Sequence, residues 1–195
     1  MSYEPLIKKL LSKKRYTHSI NVADMCVHLA KQYGENQEKA YMAGILHDIM
    51  KEGSPDDIRA RTEAWGTAPA NRFPPDPIEL VAPALWHAPA GGHYAKTELG
   101  VTDWDILNAI RFHTIGRADM SLLEKIVYLG DLVSKDREFS DVDKFRCYVK
   151  ENLDFAMYQA LKITITDTLR KNGKIPYYTL DAYNFYNKFN KENKK

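Results

Sequence analysis

The chain has 195 residues, and its 28 Lys and Arg against 26 Asp and Glu give a formal net charge of only +2. The hydrophobic fraction of 44% and the charged fraction of 28% are typical of a folded globular protein, and the balanced charge argues against a nucleic-acid or anionic-membrane partner. No apolar run approaches the about 18 residues of a membrane span, and the first residues lack the apolar region of a signal peptide, so we expect a cytoplasmic protein.

Helical patterns dominate the first half of the chain. An apolar stripe that stops at Gly34 predicts a helix over about 16–33, and the nearly all-apolar run after it predicts a buried helix over about 38–52. Ser54-Pro55 and Asp76-Pro77 are capping pairs, which predict helices near 55–65 and 77–88. The Pro-rich segment between them and the segment HAPAGGHYAKTELG after them are predicted to be loops.

The second half continues in the same way, and no period-two strand pattern appears. Helices are predicted over about 102–113, about 121–134 with a capping box at Ser121, about 141–171, and about 180–190. The sequence therefore predicts a single all-α domain over 1–195, a bundle of six to eight helices with a core over about 5–190. The Lys-rich residues 191–195 are predicted to form a disordered tail.

Six polar residues lie within, or at the end of, apolar helical segments: His18, His47, Asp48, His87, His113 and Asp131. Their spacing from apolar neighbours points them toward the core, where a polar group without a partner costs a few kcal/mol. Imidazoles and carboxylates that converge in a dry interior need a positive partner, and a divalent metal is the usual solution. We therefore predict a metal site built from this set.

Each residue alone has a simpler interpretation. A His-Asp doublet arises often by chance, and one inward histidine is more often a hydrogen-bonded core residue than a ligand. Asp131 could serve only as a cap or as a partner of Arg137. It is the combination of four histidines and two aspartates that favours the metal site, whereas His28 and His93 stay outside it.

The arrangement of these residues resembles the H…HD…D pattern of the HD-domain superfamily of metal-dependent phosphohydrolases, whose fold is an all-α helical bundle. The segments RYTHSINVA at 15–23, HDIMK at 47–51, WHAPAG at 86–91 and RFHTIGRADMSLLEKIVYLGD at 111–131 resemble the YqeK-type branch of that superfamily. This branch comprises bacterial symmetrical diadenosine tetraphosphate hydrolases. The resemblance extends over roughly residues 5–190 of the chain.

The resemblance implies four metal ligands, commonly to iron, at His18, His47, Asp48 and Asp131. Mn, Co, Ni or Zn accept the same donors, so the metal itself stays open. His87 and His113 are implied to line the same pocket, where they either hold a second metal with a bridging Asp48 or contact substrate phosphates and assist proton transfer. The catalytic residues expected on this basis are Asp48, as ligand and base, with Lys51, His87 and His113.

The implied reaction splits diadenosine tetraphosphate into two ADP by attack of a metal-bound hydroxide on the phosphate bridge. The metal makes this hydroxide available because it lowers the pKa of its bound water from 15.7 toward about 7. Cations would stabilise the charge on the phosphoryl oxygens. Arg15, Lys51, Arg117 and Arg137 are the candidates, and each is otherwise a solvated surface cation. The remaining expected substrate contacts are His87, His113, Thr114, Gly116, Tyr177 and Thr179.

Two other functions stay open at this point. The chain could be another HD-type hydrolase acting on deoxynucleoside triphosphates or 5′-nucleotides, or a module that binds a nucleotide without turning it over. Retention of all four implied ligands argues against the second. In each case the expected partner is a small nucleotide rather than a nucleic acid or a membrane, and the 12 tyrosines are compatible with a homodimer interface.

Overall fold

The computed structural model describes residues 3–68 and 71–190, and within these ranges the chain forms eleven α-helices, two short 3-10 helices and no strand. The all-α prediction is therefore confirmed, although the described helices are more numerous than the six to eight expected. The predicted tail over 191–195 lies outside the described residues. The helices are α1 (Glu4–Leu10), α2 (Lys13–Tyr33), α3 (Gln37–Leu46), α4 (Pro55–Thr67), α5 (Pro77–Leu80), α6 (His87–Thr97), α7 (Trp104–Phe112), α8 (Leu122–Val133), α9 (Val142–Glu151), α10 (Leu153–Arg170) and α11 (Tyr177–Tyr186).

The predicted capping residues start the helices. Ser54 accepts a hydrogen bond from the backbone N–H of Asp57, and Ser121 and Asp76 each form a complete capping box. The 3-10 helices are Pro83–Leu85 and Asn187–Phe189. Among the described residues, none of the helices has the length and hydrophobicity that a membrane span requires.

The centre of the fold is a close contact of α2 with α3 and α8. Cys26 of α2 lies between Gly44 of α3 and Gly130 of α8, where a Cβ atom would be 3.0 Å and 2.8 Å from its sulfur. Only glycine allows so close an approach. His47 follows Gly44 by one turn and Asp131 follows Gly130 directly, so this contact brings two predicted site residues to one place.

The prediction of a loop after residue 87 is wrong, because His87–Thr97 is helix α6. Pro89 lies in its first turn, where no backbone N–H is needed. Its glycines serve packing rather than chain flexibility: a Cβ at Gly91 would lie 3.2 Å from Ile110, and one at Gly92 would lie 3.2 Å from the Trp65 ring. Tertiary packing has overridden the local loop signal.

Three other boundaries differ from the expectations. The periodic segment over 141–171 is two helices, because Asn152 ends α9 and caps α10 by accepting a hydrogen bond from Phe155 N–H. Helix α5 has a single turn instead of reaching 88. Helix α3 ends at Leu46, so that His47 and Asp48 lie in the turn after the helix rather than inside it.

Candidate metal centre

Five segments of the fold bring the six predicted residues into one group. His18 comes from α2, His47 and Asp48 from the turn after α3, and the others are His87 at the start of α6, His113 at the end of α7 and Asp131 in α8. The four histidines and Asp48 are at most 5% exposed, and the Asp131 side chain is 18% exposed. We call these six residues the metal group.

All four imidazoles point the same nitrogen into the metal group. In three of them Nδ1 donates to the backbone carbonyl three residues earlier, at 2.7 Å for His47, 3.0 Å for His87 and 2.7 Å for His113. In His18, Nδ1 donates to Asp136 Oδ2 at 2.8 Å. A hydrogen bond at Nδ1 fixes the tautomer, so each Nε2 lone pair is available to a ligand.

The Asp48 carboxylate lies between two pairs of imidazoles. Its Oδ2 is 4.0 Å from His18 Nε2 and 3.5 Å from His47 Nε2. Its Oδ1 is 3.4 Å from His87 Nε2 and 3.5 Å from His113 Nε2. Each carboxylate oxygen therefore faces its own pair of nitrogens, which is the arrangement of a bridging carboxylate.

The residues present fit a divalent cation. Asp131 Oδ1 lies 3.0 Å from His18 Nε2 and 3.9 Å from His47 Nε2, yet both nitrogens are buried without a hydrogen-bond partner. A lone pair that faces a carboxylate oxygen in a dry interior is repelled unless a cation lies between them. Two overlapping triads are close enough to hold an ion: His18 with His47 and Asp131, and His47 with Asp48 and His113.

The charges in the metal group shift its pKa values. Burial raises the pKa of Asp48, but His47 and His113 outweigh burial and hold that pKa well below its usual value. For Asp131, too, burial raises the pKa, but the neighbouring His18 and His47 outweigh burial, and the pKa of Asp131 is also well below its usual value. Burial, with His113 and Lys51 close by, lowers the pKa of His87. Both carboxylates are therefore anionic, and His87 is neutral, at neutral pH.

Three of the predicted cations border the metal group. Arg15 donates a hydrogen bond to Asp48 Oδ2 at 2.7 Å. Arg137 donates to both the side-chain carboxylate and the backbone carbonyl of Asp131. Lys51 Nζ lies 3.1 Å from His87 Nε2, and burial lowers the pKa of Lys51. The structure thus places a positive rim around the anionic carboxylates.

Thr114 is the other predicted substrate contact that adjoins the metal group. It lines a cavity of about 280 Å³ together with His113, Asp131 and Arg137. Its hydroxyl oxygen is buried and has no hydrogen-bond partner among the described residues. A hydroxyl in this position can donate to a phosphate oxygen.

Four predicted substrate contacts are not brought to the metal group. Arg117 instead donates to Glu124 at 2.8 Å, and Thr179 donates to the backbone carbonyl of residue 115 at 2.9 Å. Gly116, with φ of +65°, forms the turn after His113. Tyr177 is 56% exposed, and its backbone N–H donates to the carboxylate of residue 76. The motif resemblance marked these residues, but their side chains or backbone have structural partners.

Asp136 was not predicted from the sequence, although its carboxylate orients His18 and also accepts a hydrogen bond from Asn21 at 3.0 Å. It follows α8 in a polar segment, where its carboxylate cannot be distinguished from solvated ones by pattern. His28 and His93 lie outside the metal group, as expected. A larger cavity of about 670 Å³ also lies apart from it, lined by Asn71, Arg72, Phe73, Trp104, Asn108 and Arg117.

Comparison with known proteins agrees with this geometry. Residues 15–136 match the HD domain family. A Halalkalibacterium halodurans protein named symmetrical bis(5′-nucleosyl)-tetraphosphatase is 40% identical, and a Bacillus subtilis protein of the same name is 35% identical; each alignment covers 92% of both chains.

A solved structure has the same fold. It is a Clostridium acetobutylicum protein described as a predicted HD superfamily hydrolase involved in NAD metabolism, with 35% identity and a TM-score of 0.88 over 97% of this chain and 98% of that one. The metal group lies within the matched region, and the relatives align over nearly the whole chain. The chain therefore belongs to the HD domain family, in the group that contains the symmetrical bis(5′-nucleosyl)-tetraphosphatases.

Proposed function

We propose that this protein is a metal-dependent hydrolase that cleaves diadenosine tetraphosphate symmetrically into two ADP. The observation that carries the proposal is the metal group: four Nε2 lone pairs around two anionic carboxylates, bordered by three cations. The names of the relatives supply the substrate, since they align over 92% of the chain. The nucleotide is thus the small-molecule partner of the site.

We further propose that the metal group holds two ions. His18, His47, Asp131 and Asp48 Oδ2 would hold the first, while His87, His113 and Asp48 Oδ1 would hold the second. The support is the division of the Asp48 oxygens between the two pairs of imidazoles. Iron is the proposed metal, and nitrogen and oxygen donors of this kind also accept Mn, Co, Ni and Zn.

The bound metal supplies an activated water at neutral pH and withdraws charge from the phosphoryl oxygens. Arg15, Arg137 and Lys51 orient the tetraphosphate and stabilise the charge that spreads over its non-bridging oxygens. Thr114 donates to a phosphate oxygen from the adjoining cavity. Both carboxylate oxygens of Asp48 face imidazole nitrogens, so we assign this residue first to holding the metal.

Product analysis tests the function. The purified protein is incubated with diadenosine tetraphosphate, deoxynucleoside triphosphates and nucleoside monophosphates, with and without a chelator, and with Fe, Mn or Co added back. We expect ADP as the only product from the dinucleotide, and loss of turnover on chelation. Cleavage of another nucleotide alone would refute the substrate, and no turnover at all would favour a nucleotide-sensing role.

A further inference from the structure

Two cavities reach the metal group from different directions and share a wall formed by Arg137 and Phe139. The first cavity, of about 280 Å³, borders His113 and Asp131. The second cavity, of about 390 Å³, borders His18. The Arg137 guanidinium, bound to Asp131, therefore lies where both cavities meet the metal group.

The second cavity has the charges of a phosphate-binding site. Lys14 and Arg15 line it beside Arg137, and within the described residues Lys14 has no ion pair. Asp136 also lines it, but both of its oxygens already accept hydrogen bonds from other side chains. The remaining acid is Glu138, which is exposed and has no ion pair within the described ranges.

The symmetry of the reaction requires two nucleotide positions. Cleavage at the central bridge of diadenosine tetraphosphate leaves one ADP on each side of the bond that breaks. Sites for drug-sized ligands usually measure about 300–1,000 Å³, so the first cavity, at about 280 Å³, is too small to hold the whole dinucleotide. The other half must lie elsewhere, with its phosphates still at the metal group.

We infer that the second cavity holds the second nucleoside diphosphate half of the substrate. This inference rests on the proposed function. Lys14 and Arg15 contact the phosphates of that half, Glu138 accepts a hydrogen bond from its ribose hydroxyls, and the Phe139 ring packs against its base. Arg137, at the shared wall, contacts the phosphates next to the bond that is cleaved.

The first test counts the ADP molecules that the metal-loaded protein binds, by isothermal titration calorimetry. We expect two per chain in the wild type and one in Lys14→Glu. Lys13→Glu is the matched control, because Lys13 precedes Lys14 in the same helix, is exposed and lines neither cavity. Binding of a single ADP to the wild type would overturn the inference, and so would an equal loss in both variants, which would indicate only a long-range charge effect.

The second test compares kinetics on two substrates. Lys14→Glu should raise KM for diadenosine tetraphosphate by at least about tenfold, with metal content unchanged, because a charge-assisted hydrogen bond is lost. Glu138→Ala should raise KM for the dinucleotide but not for adenosine 5′-tetraphosphate, which lacks the second ribose and base. Normal kinetics in both variants would refute the second-cavity position while leaving the proposed function intact. Failure of the proposed function would be recognised without any variant, because the wild-type protein itself would not cleave the dinucleotide.

Discussion

At the residue scale, the metal group depends on where its histidines lie relative to helix ends. His47 and His113 occupy the C-caps of α3 and α7, where backbone carbonyls lack partners within the helix. Their Nδ1 atoms donate to those carbonyls, so one hydrogen bond caps the helix and also exposes Nε2 to a metal. The apolar stripes predicted that these residues face inward, but the nitrogen that faces the ligand follows from the local backbone.

The substitution His47→Ala tests the ligand assignment. His47 belongs to both candidate triads, so its removal should lower the metal content and abolish turnover. The helices should persist, because the surrounding packing holds them, and the helical circular dichroism should therefore stay largely unchanged. The measurements are metal analysis, activity and far-ultraviolet circular dichroism. The control is His28→Ala, since His28 is exposed and lies outside the metal group; full activity in His47→Ala would contradict the assignment.

The substitution Lys51→Ala separates substrate contact from metal binding. Lys51 Nζ lies 3.1 Å from His87 Nε2 but cannot serve as a ligand while it is charged. We expect a loss of about tenfold or more in kcat/KM with metal content retained, because a charged hydrogen bond to phosphate is removed. If the metal is lost instead, Lys51 acts by positioning His87, and its assignment as a substrate contact is wrong.

At the element scale, the sequence predicted helices where local chemistry dominates. The cap at Asp76, the capping box at Ser121 and the stop at Gly34 need only neighbouring residues, and all three were confirmed. Helix α6 was missed because proline and glycines are locally typical of a loop. Here the glycines instead allow close packing of α6 against α4 and α7. The break at Asn152 was missed because the apolar period continues across it.

Asp76 joins two elements that are about a hundred residues apart in the sequence. Its Oδ1 accepts from two backbone N–H groups of α5, and its Oδ2 accepts from Tyr177 N–H at the start of α11. Each cap contributes about 1 kcal/mol, so Asp76→Ala should lower the free energy of unfolding by about 2 kcal/mol or more.

Urea denaturation measures this change. The matched control is Asp56→Ala, because Asp56 is exposed in the first turn of α4 and its change should stay within about 0.5 kcal/mol. Equal stability of the two variants would show that the link between α5 and α11 contributes little. Metal content should be the same in both, since neither residue belongs to the metal group.

At the scale of the whole molecule, the sequence predicted the members of the metal group and gave a bridging Asp48 as one of two alternatives, but it could not decide between them. Each member was recognised from its own apolar segment, and all six do converge. The division of Asp48 between two imidazole pairs, the Asp136 contact and the two cavities depend on how segments far apart in the chain pack. Such packing leaves no periodic signal, and motif resemblance placed Arg117 and Thr179 where the fold gives them other partners.

Because the ligands come from segments between residues 18 and 131, only the folded chain presents them together. A ligand that binds the folded state alone stabilises it by about 4 kcal/mol at a thousandfold excess over Kd. For a chain of this length, that corresponds to a rise in Tm of roughly 8–16 °C. We therefore expect a chelator to lower the Tm of the metal-loaded protein by that amount in differential scanning calorimetry.

The variant His47→Ala provides the control for this prediction. Its Tm should hardly respond to the chelator, because the ligand shared by both triads is missing. An equal response in the variant and the wild type would point to a metal bound elsewhere on the chain. A wild-type Tm that the chelator leaves unchanged would mean that protein contacts alone hold the metal group together. In that case the imidazole nitrogens that face Asp131 would need protons instead of a metal.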